Sequence, residues 1–542
     1  MTAISATAPR SRTNAPTISI RDLRHCYGKQ NQEAVAGINL DIYQGEIFGL
    51  IGPDGAGKTT TFQILSGVMP HKGGIVEVLG SRPKDVRLQM GYLTQRFSLY
   101  PDLSIMENLR YAAGLREVSD AAFKTRSEYF LGLLDLARFK ERLAGRLSGG
   151  MKQKLALCCV LIHQPKILLL DEPTTGVDPV SRREFWDILA QLAATEAMTT
   201  VVATPYLDEA ERCSRIALMY EGKIQQCDTP AKVKASLGVQ RLEVYLPVMQ
   251  LDQAEEILKH NADLRESVSD VQRFGARLDV LTAQPQQTTD TIRRILEEQQ
   301  LQIQNLTTDT PTLENTFVAR LRELKGDSSE VNYPRRYRRA KKNWVLQMSD
   351  LVGREDMLTA DLPGGWKQRV AFGAAVMHEP KVLFLDEPTS GVDPLARRQF
   401  WRWINSFARE GMAVLVTTHY LEEAEQCHRL GFMVAGELVA QGTPRQVKDE
   451  QPGQLVEWEC EPLQKASDLL KEKFDPWRVS IFGSRLHTIL DNPDAEIPQV
   501  QAWLNKSGFA VHNSREIKFS LEDVFISVVD RARQRGLDVP VD

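Results

Sequence analysis

The chain has 542 residues, enough for three or four domains of ordinary size. Its mean hydropathy is −0.30 and 25% of its residues are charged, a composition that excludes a membrane-embedded or wholly disordered chain. Lysine and arginine number 67 against 71 aspartates and glutamates, a net charge of −4, which argues against nucleic acid as a partner. The seven cysteines form no CxxC pair, as expected of a reduced, cytoplasmic protein.

The amino-terminal part of the chain predicts three successive units. Residues 1–16 are rich in serine, threonine, alanine and proline without an apolar stretch, which predicts a disordered tail. Over 17–237, apolar runs such as EIFGLIG and KILLLDE alternate with helical patterns, which indicates parallel strands in an α/β layer architecture. Over 238–325 the order is strand, helix, hairpin, helix and strand, typical of a ferredoxin-like accessory domain.

A complete phosphate-loop motif, GPDGAGKT, lies between the apolar run EIFGLI and a segment with helical periodicity. In this context glycines let successive backbone N–H groups point at phosphate oxygens, and the following helix end adds positive potential. We expect Lys58 to hold the β- and γ-phosphates of ATP and the Thr59 hydroxyl to ligate Mg²⁺. The predicted nucleotide-binding residues here are Gly52, Pro53, Asp54, Gly55, Ala56, Gly57, Lys58, Thr59 and Thr60.

Two carboxylates end the apolar strand in KILLLDEP. Asp171 is placed to hold Mg²⁺ through water, and Glu172 to polarise the attacking water as general base. Solvated acids often end strands, so the pair alone is weakly specific. Together with the phosphate loop earlier in the chain, the acidic pair indicates a nucleotide site much more specifically.

The second part of the chain repeats the first incompletely. LSGGMKQKLAL at Leu147 recurs as LPGGWKQRVAF at Leu362, and DEPTTGVDP at Asp171 recurs as DEPTSGVDP at Asp386. Conserved order and spacing indicate a duplication, but similarity resumes only near Trp344, so the second copy lacks the phosphate loop. Its remaining strands, KVLFLDE among them, are expected to expose apolar edges.

The repeat also sets the remaining predicted boundaries. The truncated second copy is predicted at 344–450, a second accessory domain at 451–531 and a tail at 532–542. Between the two halves, residues 326–343 carry a run of arginines and lysines, which indicates a solvated linker or a segment that contacts anionic lipid.

The motif LSGGMKQ, just before the helix that leads to LLLDEP, resembles the signature of ABC transporter ATPases. With GPDGAGKT, Gln95 and GVDP the resemblance covers 17–237, and it returns from about Trp344 to Val447. The regions ending in LENTF and LEDVF resemble accessory domains of drug-exporter ATPases of the daunorubicin-resistance and fused double-cassette kind. This implies a P-loop NTPase cassette with a helical signature subdomain, duplicated, each copy followed by a small α+β ferredoxin-like accessory domain.

The resemblance implies further nucleotide contacts. Tyr27 is implied to stack on adenine, although an aromatic before a strand is also typical of a core or surface position. Gln95 is implied to contact Mg²⁺ and to report the nucleotide state to the membrane partner. The signature residues are implied to close over the γ-phosphate of a nucleotide held by an opposing cassette; they are Ser148, Gly149 and Gly150.

Two surfaces follow from the same resemblance. Phe97, Leu99 and Tyr100 are implied to help form the groove in which a helix of the membrane partner docks. Asp178 is implied to line the interface between cassettes.

Three departures from the family pattern weaken catalysis. Pro205 occupies the position of the switch histidine, His419 is retained in a half without a phosphate loop, and Pro363 replaces the signature serine there. Pairing within one chain then sets the only complete loop against the defective signature, which predicts a slow ATPase. Pairing of two chains through their first cassettes, a homodimer, restores Ser148 opposite the loop.

Asp386 and Glu387 look catalytic, but no local lysine or glycine loop supplies a triphosphate. We therefore predict a structural role for both.

These observations favour an ATP-binding and ATP-hydrolysing subunit of an ABC-type exporter, of multidrug or related efflux, coupled to separate integral membrane permease subunits. Its implied location is the cytoplasm, peripheral on the inner face of the membrane. One alternative is a poorly hydrolysing regulatory or vestigial module. Another is a soluble tandem-cassette ATPase acting on ribosomes, a class that by resemblance has two complete phosphate loops.

Overall fold

The computed structural model describes most of the chain, with isolated positions between 346 and 362 and the ranges 15–28, 32–95, 99–275, 277–325, 364–482 and 485–535. The predicted basic linker, most of both predicted tails, Phe97 and Pro363 lie outside these residues. Within them, no helix combines the length and apolar composition needed to cross a bilayer. Below, the first repeat denotes residues 17–237 and the second repeat residues 344–450.

A six-stranded sheet forms the centre of the first repeat. Its order is β5-β6-β7-β3-β8-β9, and all neighbours are parallel except the last pair. The central strands IFGLI, ILLLD and TTVVAT are buried throughout, as expected where both faces of a parallel sheet are covered. The strands are β3 (Ile47–Ile51), β5 (Met90–Leu93), β6 (Ile167–Asp171), β7 (Thr199–Thr204), β8 (Arg215–Tyr220) and β9 (Lys223–Asp228).

Two separate apolar cores cover the two faces of this sheet, because neighbouring side chains on a strand point to opposite faces. Leu169 packs with Phe62 of α1 and with a small antiparallel sheet, whereas Leu168 and Leu170 pack with the helices on the other face. The antiparallel sheet has the order β2-β1-β4. Its strands are β1 (Ile18–Tyr27), β2 (Gln32–Ile42) and β4 (Gly73–Val78), and the helices are α1 (Lys58–Leu65), α2 (Ile105–Gly114), α3 (Asp120–Leu133), α4 (Gly149–Leu161), α5 (Pro179–Glu196), α6 (Leu207–Ala210) and α7 (Pro230–Ala235).

Each repeat is followed by a four-stranded antiparallel sheet with two helices. The first has the order β11-β12-β10-β13 and the second β19-β20-β18-β21. The first comprises β10 (Gln240–Tyr245), α8 (Leu251–His260), β11 (Val268–Phe274), β12 (Arg277–Thr282), α9 (Pro285–Glu298) and β13 (Asn305–Asp309). The helix after it is α10 (Leu313–Lys325).

The helix α10 contacts both the accessory sheet that precedes it and the first repeat. Asn315 donates from Nδ2 to Gln272 Oε1 at 2.9 Å and to Asp279 Oδ2 at 3.2 Å in the accessory sheet, whereas Leu313, Phe317 and Leu321 join the core of the first repeat. Each accessory domain also contacts the opposite repeat. Gly275 N donates to Gln426 Oε1 of the second repeat at 2.9 Å.

The second repeat has no single central sheet. The parallel pair β14-β15 and the antiparallel pair β16-β17 form separate sheets, because no described strand takes the place that β3 has between β7 and β8. The elements are α11 (Gly364–Val376), β14 (Val382–Asp386), α12 (Pro394–Arg409), β15 (Ala413–Thr417), α13 (Leu421–Ala424), β16 (Leu430–Val434), β17 (Glu437–Gly442) and α14 (Pro444–Asp449). The second accessory sheet follows with β18 (Gln454–Glu461), α15 (Leu463–Lys473), β19 (Val479–Phe482), β20 (Arg485–Leu490), α16 (Pro493–Lys506) and β21 (Ala510–Ile517), and then α17 (Leu521–Gln534).

The two repeats meet at a buried cluster of equivalent residues. The rings of Tyr206 and Tyr420 stack with centroids 4.7 Å apart, and Tyr420 donates from its hydroxyl to that of Tyr206. The guanidinium of Arg182 lies 4.8 Å from the centre of the Tyr420 ring, and that of Arg397 lies 4.9 Å from the centre of the Tyr206 ring. Aromatic stacking and cation–π contacts in a desolvated interface stabilise the pairing of the repeats within one chain.

We expect Arg397→Met to lower the free energy of unfolding by about 3–5 kcal/mol, because it leaves the carboxylate of Glu423 buried without its cation. The two groups lie 3.1 Å apart and both are almost fully buried. As a control, Arg21→Met removes the exposed pair with Asp41 and should cost about 1 kcal/mol or less. Urea unfolding followed by tryptophan fluorescence measures both, and equal losses would contradict the role given to Arg397.

Candidate functional site

The phosphate loop joins β3 to α1, and its glycines are required by close backbone approach. A β-carbon at Gly57 would lie 2.2 Å from the carbonyl oxygen of Ala34, and its φ is +102°. Lys58 is buried and donates from Nζ to the carbonyl oxygens of Gly52 and Pro53 at 2.7 and 3.0 Å. The helix α1 begins after Gly57 with no side-chain cap, which leaves backbone N–H groups of its first turn available to an anion.

The predicted catalytic carboxylates lie beside this loop. Asp171 ends β6, and burial raises its pKa while Lys58 and a hydrogen bond from Thr59 lower it. Its Oδ1 atom is buried and has no hydrogen-bond partner among the described residues. Together with the Thr59 hydroxyl, an unpaired carboxylate oxygen fits a hard cation such as Mg²⁺. That ion takes one or two protein oxygens and completes its shell with water and phosphate.

Glu172 follows Asp171 in a left-handed backbone conformation, with φ 50°. Gln95 donates from Nε2 to Glu172 Oε2 at 2.8 Å; its contact with Mg²⁺ stays a prediction. Burial raises the pKa of Glu172, and Asp171 raises it further, whereas Lys58 lowers it. A raised pKa makes a carboxylate a stronger proton acceptor, as a general base near neutral pH requires.

Tyr27 lies at the end of β1 with 44% of its surface exposed. Its hydroxyl is 3.2 Å from the Thr60 hydroxyl, which places the ring next to the first turn of α1. The position suits an adenine platform, and that role remains a prediction.

The first signature caps the helix α4. Ser148 Oγ accepts from Met151 N at 3.3 Å, and both Ser148 and Gly149 are exposed. Gly150 is buried, and a side chain has no room there because a β-carbon would lie 2.6 Å from Ser181 Oγ. Asp178, which caps α5, accepts from Ser181 N at 2.9 Å.

The second repeat faces the phosphate loop of the first. A β-carbon at Gly365 would lie 3.6 Å from Asp54 Oδ2, and Gly365 is buried, as is its equivalent in the first signature, Gly150. Gly391 N donates to the Tyr206 hydroxyl at 3.3 Å. Within one chain, therefore, the loop is next to the second signature, as expected for intrachain pairing.

The acidic pair of the second repeat has local partners. His419 Nδ1 lies 3.0 Å from Glu387 Oε1, and Thr417 donates from its hydroxyl to Asp386 Oδ1. Burial lowers the pKa of His419, and Glu387 raises it. No phosphate loop lies beside this pair in the described part of the second repeat. The contacts support the structural role predicted for both acids.

An exposed aromatic pair is formed by Tyr100 and Tyr111. Tyr100 donates from its hydroxyl to that of Tyr111 at 3.0 Å, with the two rings in an edge-to-face contact. Leu99 packs against the core of the first repeat. The pair forms an amphipathic surface of the type that binds a partner helix.

Sequence reasoning missed the tyrosine–arginine cluster between the repeats. Tyr206 and Tyr420 stand at equivalent places in ATPYLDEAE and TTHYLEEAE, and Arg182 and Arg397 each lie six positions after the glycine that begins GVDP. Matching these repeats residue by residue would have found them, because equivalent residues near a two-fold axis meet each other.

Comparison with known proteins gives the family. The family model described as "ABC transporter" matches residues 35–175 and 248–390. The "Probable multidrug ABC transporter ATP-binding protein YbhF" of Escherichia coli (strain K12) is 33% identical over 562 residues, with 82% of this chain and 97% of that protein covered. The alignment is longer than the part of this chain that it covers, so a stretch of the relative has no counterpart here.

Two further matches cover smaller parts of the chain. The "Linearmycin resistance ATP-binding protein LnrL" of Bacillus subtilis (strain 168) is 28% identical, with 56% of this chain and 97% of that protein covered. The solved "Structure of ATP binding subunit of ABC transporter" is 27% identical, with 41% of this chain and 93% of that chain covered, at a TM-score of 0.38. By the family model and the Escherichia coli relative, the chain belongs to the ABC transporter ATP-binding proteins, with a duplicated P-loop NTPase cassette.

Proposed function

We propose that the protein hydrolyses ATP at one site, in the first repeat, and that this reaction drives export through a separate membrane permease. The observation that carries the proposal is the convergence of Lys58, Asp171 and Glu172 beside one glycine loop. Only the first repeat combines such a loop with an acidic pair among the described residues.

Each residue of the site has a defined task. On binding, Lys58 exchanges its bonds to Gly52 O and Pro53 O for bonds to phosphate oxygens, and the N–H groups at the start of α1 donate to the same anion. Thr59, Asp171 and Gln95 would hold Mg²⁺, which would neutralise charge on the phosphates. Glu172 takes the proton of the attacking water, and Gln95 fixes the carboxylate that does so.

The site lacks two groups that would stabilise the transition state. Pro205 provides no side-chain hydrogen bond, and Pro363 replaces a serine hydroxyl in the second signature. Each missing charge-assisted bond costs about 1.5–3 kcal/mol, or roughly 10- to 150-fold in rate. A slow ATPase is therefore part of the proposal. The contact between Gly365 and Asp54 supports closure within one chain over a homodimer of first repeats.

The exposed Tyr100–Tyr111 pair, which follows Gln95 in the sequence, supports the coupling to a membrane partner. A helix of an integral permease bound there would sense Gln95, whose amide bonds the catalytic carboxylate. The names of the Escherichia coli and Bacillus subtilis relatives refer to multidrug transport and linearmycin resistance, which favours efflux of drug-like compounds. We accordingly place the protein at the cytoplasmic face of the membrane.

Glu172→Gln should lower steady-state ATP turnover by at least about 100-fold, because the general base is lost. The matched change Glu387→Gln should leave turnover within about twofold, since no phosphate loop lies beside it. Phosphate release by the purified chain measures both. A large loss from Glu387→Gln would assign catalysis to the second repeat, and a wild type without turnover would favour the regulatory alternative.

We expect isothermal titration of the Glu172→Gln variant to show one ATP site per chain. Chelation of Mg²⁺ should weaken binding, because the phosphate charge is no longer neutralised. Lys58→Ala should weaken it by at least about tenfold, whereas Lys381→Ala, just before β14 of the second repeat, should leave it unchanged. Two equivalent sites per chain would contradict the proposal.

The double change Tyr100→Ala and Tyr111→Ala should reduce co-purification of the full chain with its membrane permease by at least about tenfold. Tyr43→Ala is the control, because Tyr43 is similarly exposed and lies elsewhere on the first repeat. Affinity purification from detergent-solubilised membranes, followed by mass spectrometry, gives the measurement. Equal recovery of a polytopic membrane protein with all variants would exclude this pair as its docking site.

A further inference from the structure

The second repeat presents an apolar sheet surface, here called the open face, made by Val382, Phe384, Leu415, Met433 and Leu438. These side chains are between 51 and 72% exposed. Phe384 and Leu415 lie directly opposite each other in the β14-β15 pair. Alternate residues of β14, Leu383 and Leu385, are buried in the core below, and Phe432 and Val434 of β16 are buried in the same way. The open face is therefore the exposed side of two strand pairs, each of which is covered on its other side.

The first repeat shows how such a face is normally covered. Leu169 and Val201 form the equivalent opposed pair, and both are buried. Their cover consists of α1 and the sheet β2-β1-β4, through residues such as Phe62 and Ile20. All of these elements come from the segment that the duplication lacks, and no described element of the second repeat takes their place over the open face.

The area of the open face exceeds what isolated surface side chains present. Its five side chains expose on the order of 500 Å² of apolar surface, in the upper range for the largest patch on a monomer. Two such faces in contact remove on the order of 1,000 Å² from water, the lower limit for a specific protein–protein interface. The face is therefore large enough for a weak, specific association of two chains.

The charges on the strands that form the open face favour contact with the open face of a second chain. The strands β14, β15, β16 and β17 carry no lysine or arginine, so they offer nothing to anionic lipid headgroups. When two open faces meet, these strands bring only two charged side chains to the contact, those of Asp386 and Glu437 at the strand ends. A two-fold contact uses the same patch on both chains and needs no second partner.

We propose that two copies of this chain associate through their open faces, sheet against sheet, about a two-fold axis. The contact lies on the second repeat and leaves the phosphate loop paired with Gly365 of its own chain. It is thus a different dimer from one built on two first repeats, and it stands whether or not the protein exports drugs. The assembly has two ATP sites, one in each chain.

Sedimentation velocity between about 1 and 100 µM tests the proposal, the range expected for an interface of this size. We expect wild-type protein to dimerise with rising concentration. The double variant Phe384→Gln and Met433→Gln should raise the dimer dissociation constant by at least about tenfold. The control variant, Leu115→Gln and Met249→Gln, changes two exposed apolar residues outside the open face and should dimerise like the wild type.

A cross-linking experiment tests the same contact without weakening it. Leu415→Cys lies in the middle of the open face and should give a disulfide-linked species of twice the chain mass on oxidation, whereas Leu115→Cys should not. All seven natural cysteines are buried or half-buried, and wild-type protein measures their background. ATP turnover of every variant verifies that it is folded.

Three results would overturn the proposal. A wild-type chain that remains monomeric across the concentration range excludes the dimer. A dimer that persists in the Phe384→Gln and Met433→Gln variant places the contact elsewhere. A monomer that binds vesicles of neutral phosphatidylcholine through Phe384 and Met433 assigns the open face to a lipid surface.

Discussion

The parallel pairing of β3 with both β7 and β8 is the constraint on which the rest of the molecule depends. The same five residues hold the sheet of the first repeat together and deliver the chain into the phosphate loop. The described part of the second repeat contains no such strand, its strands form two separate pairs, and no phosphate loop lies beside its acidic pair. One segment of the first repeat therefore supplies both the central strand of the sheet and the phosphate loop.

The two repeats are arranged asymmetrically around the phosphate loop of the first repeat. Gly365 is buried next to Asp54 of the phosphate loop, whereas its equivalent in the first signature, Gly150, is buried against Ser181 of its own repeat. The buried stack of Tyr206 and Tyr420 holds the repeats together at residues that do not belong to the loop. The second repeat thus lies against the phosphate loop of the first repeat.

Local sequence predicted the strands and the site, but not the long-range packing. The strands β3 and β6 were predictable because both faces are buried and the apolar runs are uninterrupted. Lys58, Asp171 and Glu172 were predictable because motif spacing fixes their place at strand ends. The packing of α10 against the first repeat and the Tyr206–Tyr420 contact join residues that are far apart in the chain. The periodicity of a segment does not indicate which distant segment it contacts.

The acidic motif of the second repeat shows why a motif alone does not establish chemistry. Thr389 and Thr418 both donate to the buried carboxylate of Glu423, which also pairs with Arg397. The first repeat has the same network, in which Thr174 and Thr204 donate to Glu209. These bonds fix the turns after β14 and β6 whether or not a nucleotide binds, because an unpaired buried carboxylate is costly. The turn DEPTSGVDP therefore has a structural reason to persist after the loop that gave it a catalytic role is gone.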